Sequence, residues 1–137
     1  MNRLNWAGIL VGAVLAVTIT TAISTFFPAS TGDLAEPATM VSIVVSFVAY
    51  LAGGYLAGIM AGGSGGVNGL MVAVMGFFLS IIAGTLVAVV VTTTGGTVPQ
   101  PDPEPIDVTG VAVAAGASLG LTFLGGYVGG RFGERRQ

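Results

Sequence analysis

Between Glu36 and Asp102 the chain carries no charged side chain. Polar residues alone cannot hold a stretch of that length in water, so its natural solvent is lipid. The remaining composition agrees. Four arginines and six acidic residues are the only formal charges in 137 residues, 53% of residues are hydrophobic and mean hydropathy is +0.94. A soluble domain of this size would devote about a quarter of its residues to charge.

Crossing a hydrocarbon layer of roughly 30 Å takes about 20 helical residues. Four apolar runs reach that length, and the predicted spans are Leu4–Phe27, Ala38–Gly62, Val67–Val91 and Val108–Phe132. Helices are expected rather than barrel strands, because the runs lack the strict alternation of lipid-facing and lumen-facing residues that a barrel requires. A helix also satisfies its own backbone in lipid. Arg3 and the small residues Ala22-Ile23-Ser24 give the first run a superficial likeness to a secretion signal. Its apolar stretch exceeds the usual 7–15 residues and carries a small-residue face, so a retained helix is expected. Phe27-Pro28 and Glu36-Pro37 mark one loop, and a Pro-rich acidic external loop is expected over residues 92–107. Gly62-Gly63-Ser64-Gly65-Gly66 reads as a tight turn that makes the second and third helices antiparallel neighbours. The fold expected is thus an all-α integral membrane domain over 1–137, built of two helical hairpins at about 4–62 and 67–132.

Orientation follows from charge. Arg3 flanks the first span and Arg131, Arg135 and Arg136 follow the fourth, while Asp33, Glu36, Asp102, Glu104 and Asp107 populate the other two loops. Basic residues close to a span stay cytoplasmic, which places both termini inside a cell membrane. Trp6, Tyr55, Tyr127 and Arg131 are expected as interfacial anchors on that same side.

Two segments match: Leu51-Ala52-Gly53-Gly54-Tyr55-Leu56-Ala57-Gly58 and Phe123-Leu124-Gly125-Gly126-Tyr127-Val128-Gly129-Gly130. Each falls at the same point of the second helix of its hairpin, so an internal repeat is expected, with parallel hairpins related by an axis along the membrane normal. Small residues also recur every four positions. The expected helix-packing set is Gly8, Gly12, Gly54, Gly58, Gly62, Gly76, Gly84, Gly116, Gly120, Gly126 and Gly130, since residues at i and i+4 share a face and lipid rewards close backbone approach.

Chemistry is scarce. Cysteine and histidine are absent, which removes thiolate and imidazole catalysis and the commonest metal ligands. No ionisable acid or base is expected in mid-membrane, where one would mark function. The hydroxyls Thr18, Thr20, Thr21, Ser24 and Thr25, with Ser42, Ser46, Ser80 and Thr85, either line a path for a neutral solute or bond the carbonyl one turn back. The loop acids lack calcium-loop spacing, the glycine runs lack phosphate-loop context, and no basic patch invites nucleic acid. Neither enzymatic activity, cofactor nor metal is therefore expected.

The Gly-Gly-Tyr-x-small-Gly pattern, the glycine turn and Asn68-Gly69-Leu70 together resemble small four-span glycine-zipper membrane proteins of unknown function found in bacteria and archaea. The resemblance covers chiefly Leu51–Val72, echoes at Phe123–Arg131, and implies architecture alone. The expected role is a non-enzymatic structural or accessory membrane protein. Its expected partners are membrane lipid and either itself, as a homo-oligomer, or another membrane protein in a larger complex. The alternative is a small oligomeric channel or carrier for water or a neutral solute.

Overall fold

A computed structural model describes residues 4–26, 37–96 and 108–136. Arg3, the loop acids Asp33, Glu36, Asp102, Glu104 and Asp107, and the loop from residue 97 to 107 lie outside the described residues. The four helices are α1 (Trp6–Phe26), α2 (Pro37–Ala61), α3 (Gly65–Thr93) and α4 (Val108–Glu134). All four are long and apolar enough to cross a membrane. The chain is an all-α, four-helix integral membrane protein.

Local chemistry sets the helix ends. Pro37 opens α2 at a position whose backbone N–H needs no helical partner. The α3 helix runs two residues beyond its predicted end. There the Thr92 and Thr93 hydroxyls bond back to the carbonyls of Ala88 and Val89, at 2.9 and 2.8 Å. The chain leaves this helix at Gly95, whose φ of 77° suits a glycine terminus. The turn between α2 and α3 needs left-handed backbone at Gly62 (φ 62°), Gly63 (φ 119°) and Ser64 (φ 70°), and two of those three positions are filled by the residue that tolerates it.

Helices consecutive in sequence run antiparallel, while α2 and α4 pack in parallel. Gly54 and Gly58 of α2 meet Gly126 and Gly130 of α4 in the same order, so these two helices run parallel. Gly65 and Gly69 of α3 meet Gly130 and Gly126 in reverse order, so α3 opposes α4. Among the described residues, α2 and α3 each touch all three other helices, whereas α1 and α4 do not touch one another. The cross-section is a rhombus with α2 and α3 on its short diagonal.

Glycine doublets form the corners of this rhombus. Successive helical residues point about 100° apart, so two adjacent glycines can face two neighbours at once. A Cβ on Gly53 would overlap the Gly12 carbonyl of α1, and one on Gly54 would overlap the Gly126 carbonyl of α4. On α4, Gly125 faces the Phe47 carbonyl of α2, while Gly126 faces the Gly69 carbonyl of α3. The columns continue one turn on: Gly129 and Gly133 lie against the Leu51 and Tyr55 carbonyls, and Gly130 against that of Gly65. The buried side chains between these backbones are correspondingly small, chiefly Ala13, Ala16, Ala49, Ala57 and Ala73 beside Ile9 and Val72.

The two hairpins point the same way, but the expected axis along the membrane normal does not relate them. A two-fold would make α1·α4 equivalent to α2·α3, yet only the latter pair is in contact. It would also turn Gly125 toward α3, as Gly53 turns toward α1, and Gly125 turns toward α2 instead. The hairpins lie side by side, α1 beside α3 and α2 beside α4.

The packing of α3 is confined to one end. Beyond Gly76, α3 has no buried residue up to Gly96. Gly84, Gly116 and Gly120, expected in the packing set, would each place an added Cβ with nothing within 4 Å, because no helix lies opposite them in this chain. Gly62 likewise faces open space and serves the turn through its backbone conformation. The end that carries the α2–α3 turn is therefore closed, and the opposite, loop end is open.

This contrast gives a paired prediction. Gly69→Ala forces a methyl onto the Gly126 carbonyl and is expected to cost about 1–3 kcal/mol, the usual range for overpacking. Gly116→Ala meets no atom and is expected to leave stability unchanged or raise it by up to about 1 kcal/mol through helix propensity. Reversible unfolding in mixed micelles measures both, and equal effects at the two sites would refute the assignment of closed and open ends.

Candidate functional site

Two features stand out in a bundle otherwise built from aliphatic side chains and glycine: a hydrogen-bonded lock at the turn end and a largely apolar cleft at the loop end, bordered by Ser and Thr residues.

The lock begins with Ser64, which precedes α3 but makes no side-chain cap to its own helix. The first N–H groups of a helix need acceptors from elsewhere. Glu134, at the last residue of α4, supplies them: the Ser64 N–H donates to one carboxylate oxygen at 2.8 Å and the Gly65 N–H to the other at 3.0 Å. A carboxylate is disfavoured at the C-terminus of its own helix and favoured at the N-terminus of another. Glu134 thus rests on the positive end of α3 and ties α4 to the turn. Asn68, fully buried, completes the lock. Its amide nitrogen donates to the Ser64 carbonyl at 3.0 Å, and its Oδ1 accepts the Asn5 N–H at 2.7 Å. The Asn5 side chain in turn donates to the Met60 carbonyl and accepts the Gly8 N–H at 3.0 Å. Four segments of chain are joined in one network: the start of α1, the end of α2, the start of α3 and the end of α4.

The expected anchors gather at this same end. Gly66 forms a shelf on which a Cβ would meet the Tyr127 ring at 2.9 Å and the Arg131 stem at 3.0 Å. Arg131 Nη1 donates to the Tyr127 hydroxyl at 3.1 Å, with the guanidinium carbon 5.9 Å from that ring's centre. Trp6, next to Asn5, is half exposed, and the Tyr55 carbonyl faces Gly133.

At the loop end a cleft of about 260 Å³ lies between α2 and α4, with Thr39, Ser42, Ser46 and Ser118 in its walls. Below it, and sharing Ser46, is a second space of about 150 Å³ bordered by Thr20, Tyr50, Ser80 and Thr122. Tyr50 forms the base. Its side chain lies over Gly76, where a Cβ would come within 2.9 Å of the ring carbon that bears the hydroxyl, and its hydroxyl pairs with Ser80. The role of Gly76 is therefore to admit an aromatic ring rather than another backbone.

Most of the hydroxyls are already occupied. Thr20, Ser42, Ser46, Ser80 and Thr85 donate to the carbonyls of Ala16, Ala38, Ser42, Gly76 and Ile81, one turn back, at 2.8–2.9 Å. That is the intrahelical use available to any Ser or Thr in a membrane helix. Ser118 and Thr122, a turn apart on α4, differ: neither forms a hydrogen bond with another described residue. Among the described residues no charged side chain borders either space, and no three His, Cys, Asp or Glu side chains stand close enough to share a metal. Although Ser and Thr residues border both spaces, their walls are almost entirely apolar.

The parts that sequence reading missed are Ser64, Glu134, Tyr50, Ser118 and Thr122, together with the lock role of Asn5 and Asn68. Two signals were present. A carboxylate at the C-terminal end of its own helix is out of place electrostatically, and an Asn just inside an apolar span is costly unless bonded.

The lock yields a further prediction. Asn68→Ala leaves the Asn5 N–H without its acceptor, and is expected to destabilise the bundle by about 1–3 kcal/mol. Glu134→Ala, at a partly exposed site, should cost less, about 0.5–2 kcal/mol as for other helix caps. Thermal unfolding in detergent tests both, and two unaffected variants would remove the lock from the account of stability. Comparison with known proteins supplies no counterpart: no family model, no curated protein and no solved structure matches this chain.

Proposed function

We propose that this chain is a non-enzymatic structural or accessory protein of the cell membrane, with both termini cytoplasmic, acting as a homo-oligomer or as a small subunit of a larger membrane complex. The observation that carries the reading is the uneven use of glycine. Toward the turn end, Gly54, Gly58, Gly65, Gly69, Gly126 and Gly130 are matched by backbone from a neighbouring helix, whereas Gly84, Gly116 and Gly120 at the loop end have no neighbour. Glycine within a helix costs about 1 kcal/mol relative to alanine. In lipid that cost is offset when another backbone comes close. A partner helix seated along the open halves of α3 and α4 would do so.

The resemblance to small four-span glycine-zipper proteins supports the same architecture-first reading. Orientation rests on Arg131, Arg135 and Arg136, which follow or end α4 and carry the positive charge expected on the cytoplasmic side. The second reading, a channel or carrier for water or a neutral solute, draws on the Ser and Thr residues that border the cleft. At the turn end the helices of one chain meet backbone to backbone, so such a route would have to pass between copies.

Mild extraction of the intact protein from its native membrane tests the first reading. A stoichiometric partner or a defined homo-oligomer is expected, and a solitary monomer would overturn it. Flux of water or glycerol through liposomes containing this chain alone would favour the second reading. A reporter fused after Gln137 is expected to read as cytoplasmic, and an external signal would invert the topology.

A further inference from the structure

We infer that the rim where α4 ends beside the start of α3 binds an anionic phospholipid, with the Arg131 guanidinium on its phosphate. The inference uses only the four-span membrane fold. It is independent of the accessory role, which concerns the open halves of α3 and α4 at the other end of the bundle.

Charge at this rim is unbalanced. Arg131, Arg135 and Arg136 fall within six residues of one another. Glu134 is the only acid among the described residues, and its two carboxylate oxygens accept the Ser64 and Gly65 N–H groups. No ion pair joins it to an arginine. The chain's one nearby carboxylate is thus engaged by the start of α3, and among the described residues the three guanidinium groups have no counter-charge of their own.

The posture of Arg131 points to what supplies it. An arginine at the end of a membrane helix can extend its stem and place its head in water. Arg131 is held instead to Tyr127, the residue one turn deeper in α4: Nη1 donates to the hydroxyl at 3.1 Å, and the stem lies on the Gly66 shelf of α3. A guanidinium carries several further N–H donors, and no other described residue accepts from them. At the depth of the lipid headgroups the acceptor at hand is a phosphate, which the planar fork grips through two N–H groups at once.

The surface beneath suits the rest of such a molecule. Toward the membrane centre, Leu70 follows Gly66 by one turn on α3 and Leu124 precedes Tyr127 on α4, and both leucines are exposed. Guanidinium, aromatic ring and leucine follow in the order of a phospholipid read from headgroup to acyl chain. An acidic soluble protein would use the arginines but leave that apolar surface idle. A zwitterionic lipid would bring an ammonium group to the same rim, where Arg135 and Arg136 repel it and Glu134 is already engaged.

Native mass spectrometry of the full chain tests this, in micelles holding equal amounts of phosphatidylglycerol and phosphatidylcholine with identical acyl chains. About 0.2 M ammonium acetate screens charges more than about 8 Å away. The unaltered chain is expected to retain phosphatidylglycerol over phosphatidylcholine at least about fivefold, the weight of one basic residue at an anionic surface. Arg131→Gln should lower that ratio about fivefold. Arg131→Lys, which keeps the charge without the planar fork, should lower it at least about twofold. Arg136→Gln removes the same charge from the end of the chain and should change it by less than about twofold. Equal retention of the two lipids by the unaltered chain overturns the proposal and leaves the arginines to an acidic partner. Equal losses in Arg131→Gln and Arg136→Gln, or full retention in Arg131→Lys, overturn it too, because the preference would then be one for positive charge alone. Arg131 and Arg136 are both exposed, and thermal unfolding confirms that each variant keeps its fold. Monomers and oligomers separate by mass, so the lipid ratio is read on each and does not depend on whether the accessory reading holds.

Discussion

Backbone-to-backbone contact through glycine is the interaction on which this bundle depends. In lipid, apolar side chains gain nothing by leaving their solvent, so helices associate through van der Waals contact and whatever hydrogen bonds they can share. Gly54 on Gly126, Gly58 on Gly130 and Gly69 on Gly126 allow carbonyls to sit where side chains would otherwise stand. The alanine-rich interior follows from that closeness. With backbones already in contact, little remains for a large side chain to fill, and Ile9 and Val72 are the largest fully buried aliphatic residues.

Doublets matter more than single glycines because a helix in a rhombus has neighbours in two directions. Gly53-Gly54 turns one face to α1 and the other to α4, while Gly125-Gly126 turns to α2 and α3. The same eight-residue pattern therefore performs two different jobs. Matching sequence has led to hairpins laid side by side, without the exchange of neighbours that a two-fold axis would impose. One consequence is an uneven molecule, in which α2 and α3 are central and α1 and α4 are flanks that never meet among the described residues.

Polar groups then divide the bundle along its length. At the turn end Glu134, Asn68 and Asn5 spend their hydrogen bonds on free backbone groups of other segments. This is a strong arrangement where the competing partner would be lipid. At the loop end the hydroxyls are mostly spent within their own helices, the glycines have no opposite number, and space remains between α2 and α4. The closed end supplies the stability, and the open end supplies the surfaces on which the accessory reading rests.

The number of helices, their limits to within about two residues and their alternating direction were legible in the chain, because length and hydropathy are local properties. Which neighbour each glycine faces was not legible. Spacing defines a face of one helix but not the helix that will cover it, so Gly84, Gly116 and Gly120 read the same as Gly54 until the rhombus left them uncovered. The lock escaped for a related reason. Glu134 and Ser64 are 70 residues apart in sequence, and only packing brings the end of α4 onto the start of α3. The cleft is likewise a property of the gap between helices. Sequence alone determined that this protein lies in a membrane as four helices held by small residues; the tertiary structure alone decided which end closes, because that depends on which backbones meet.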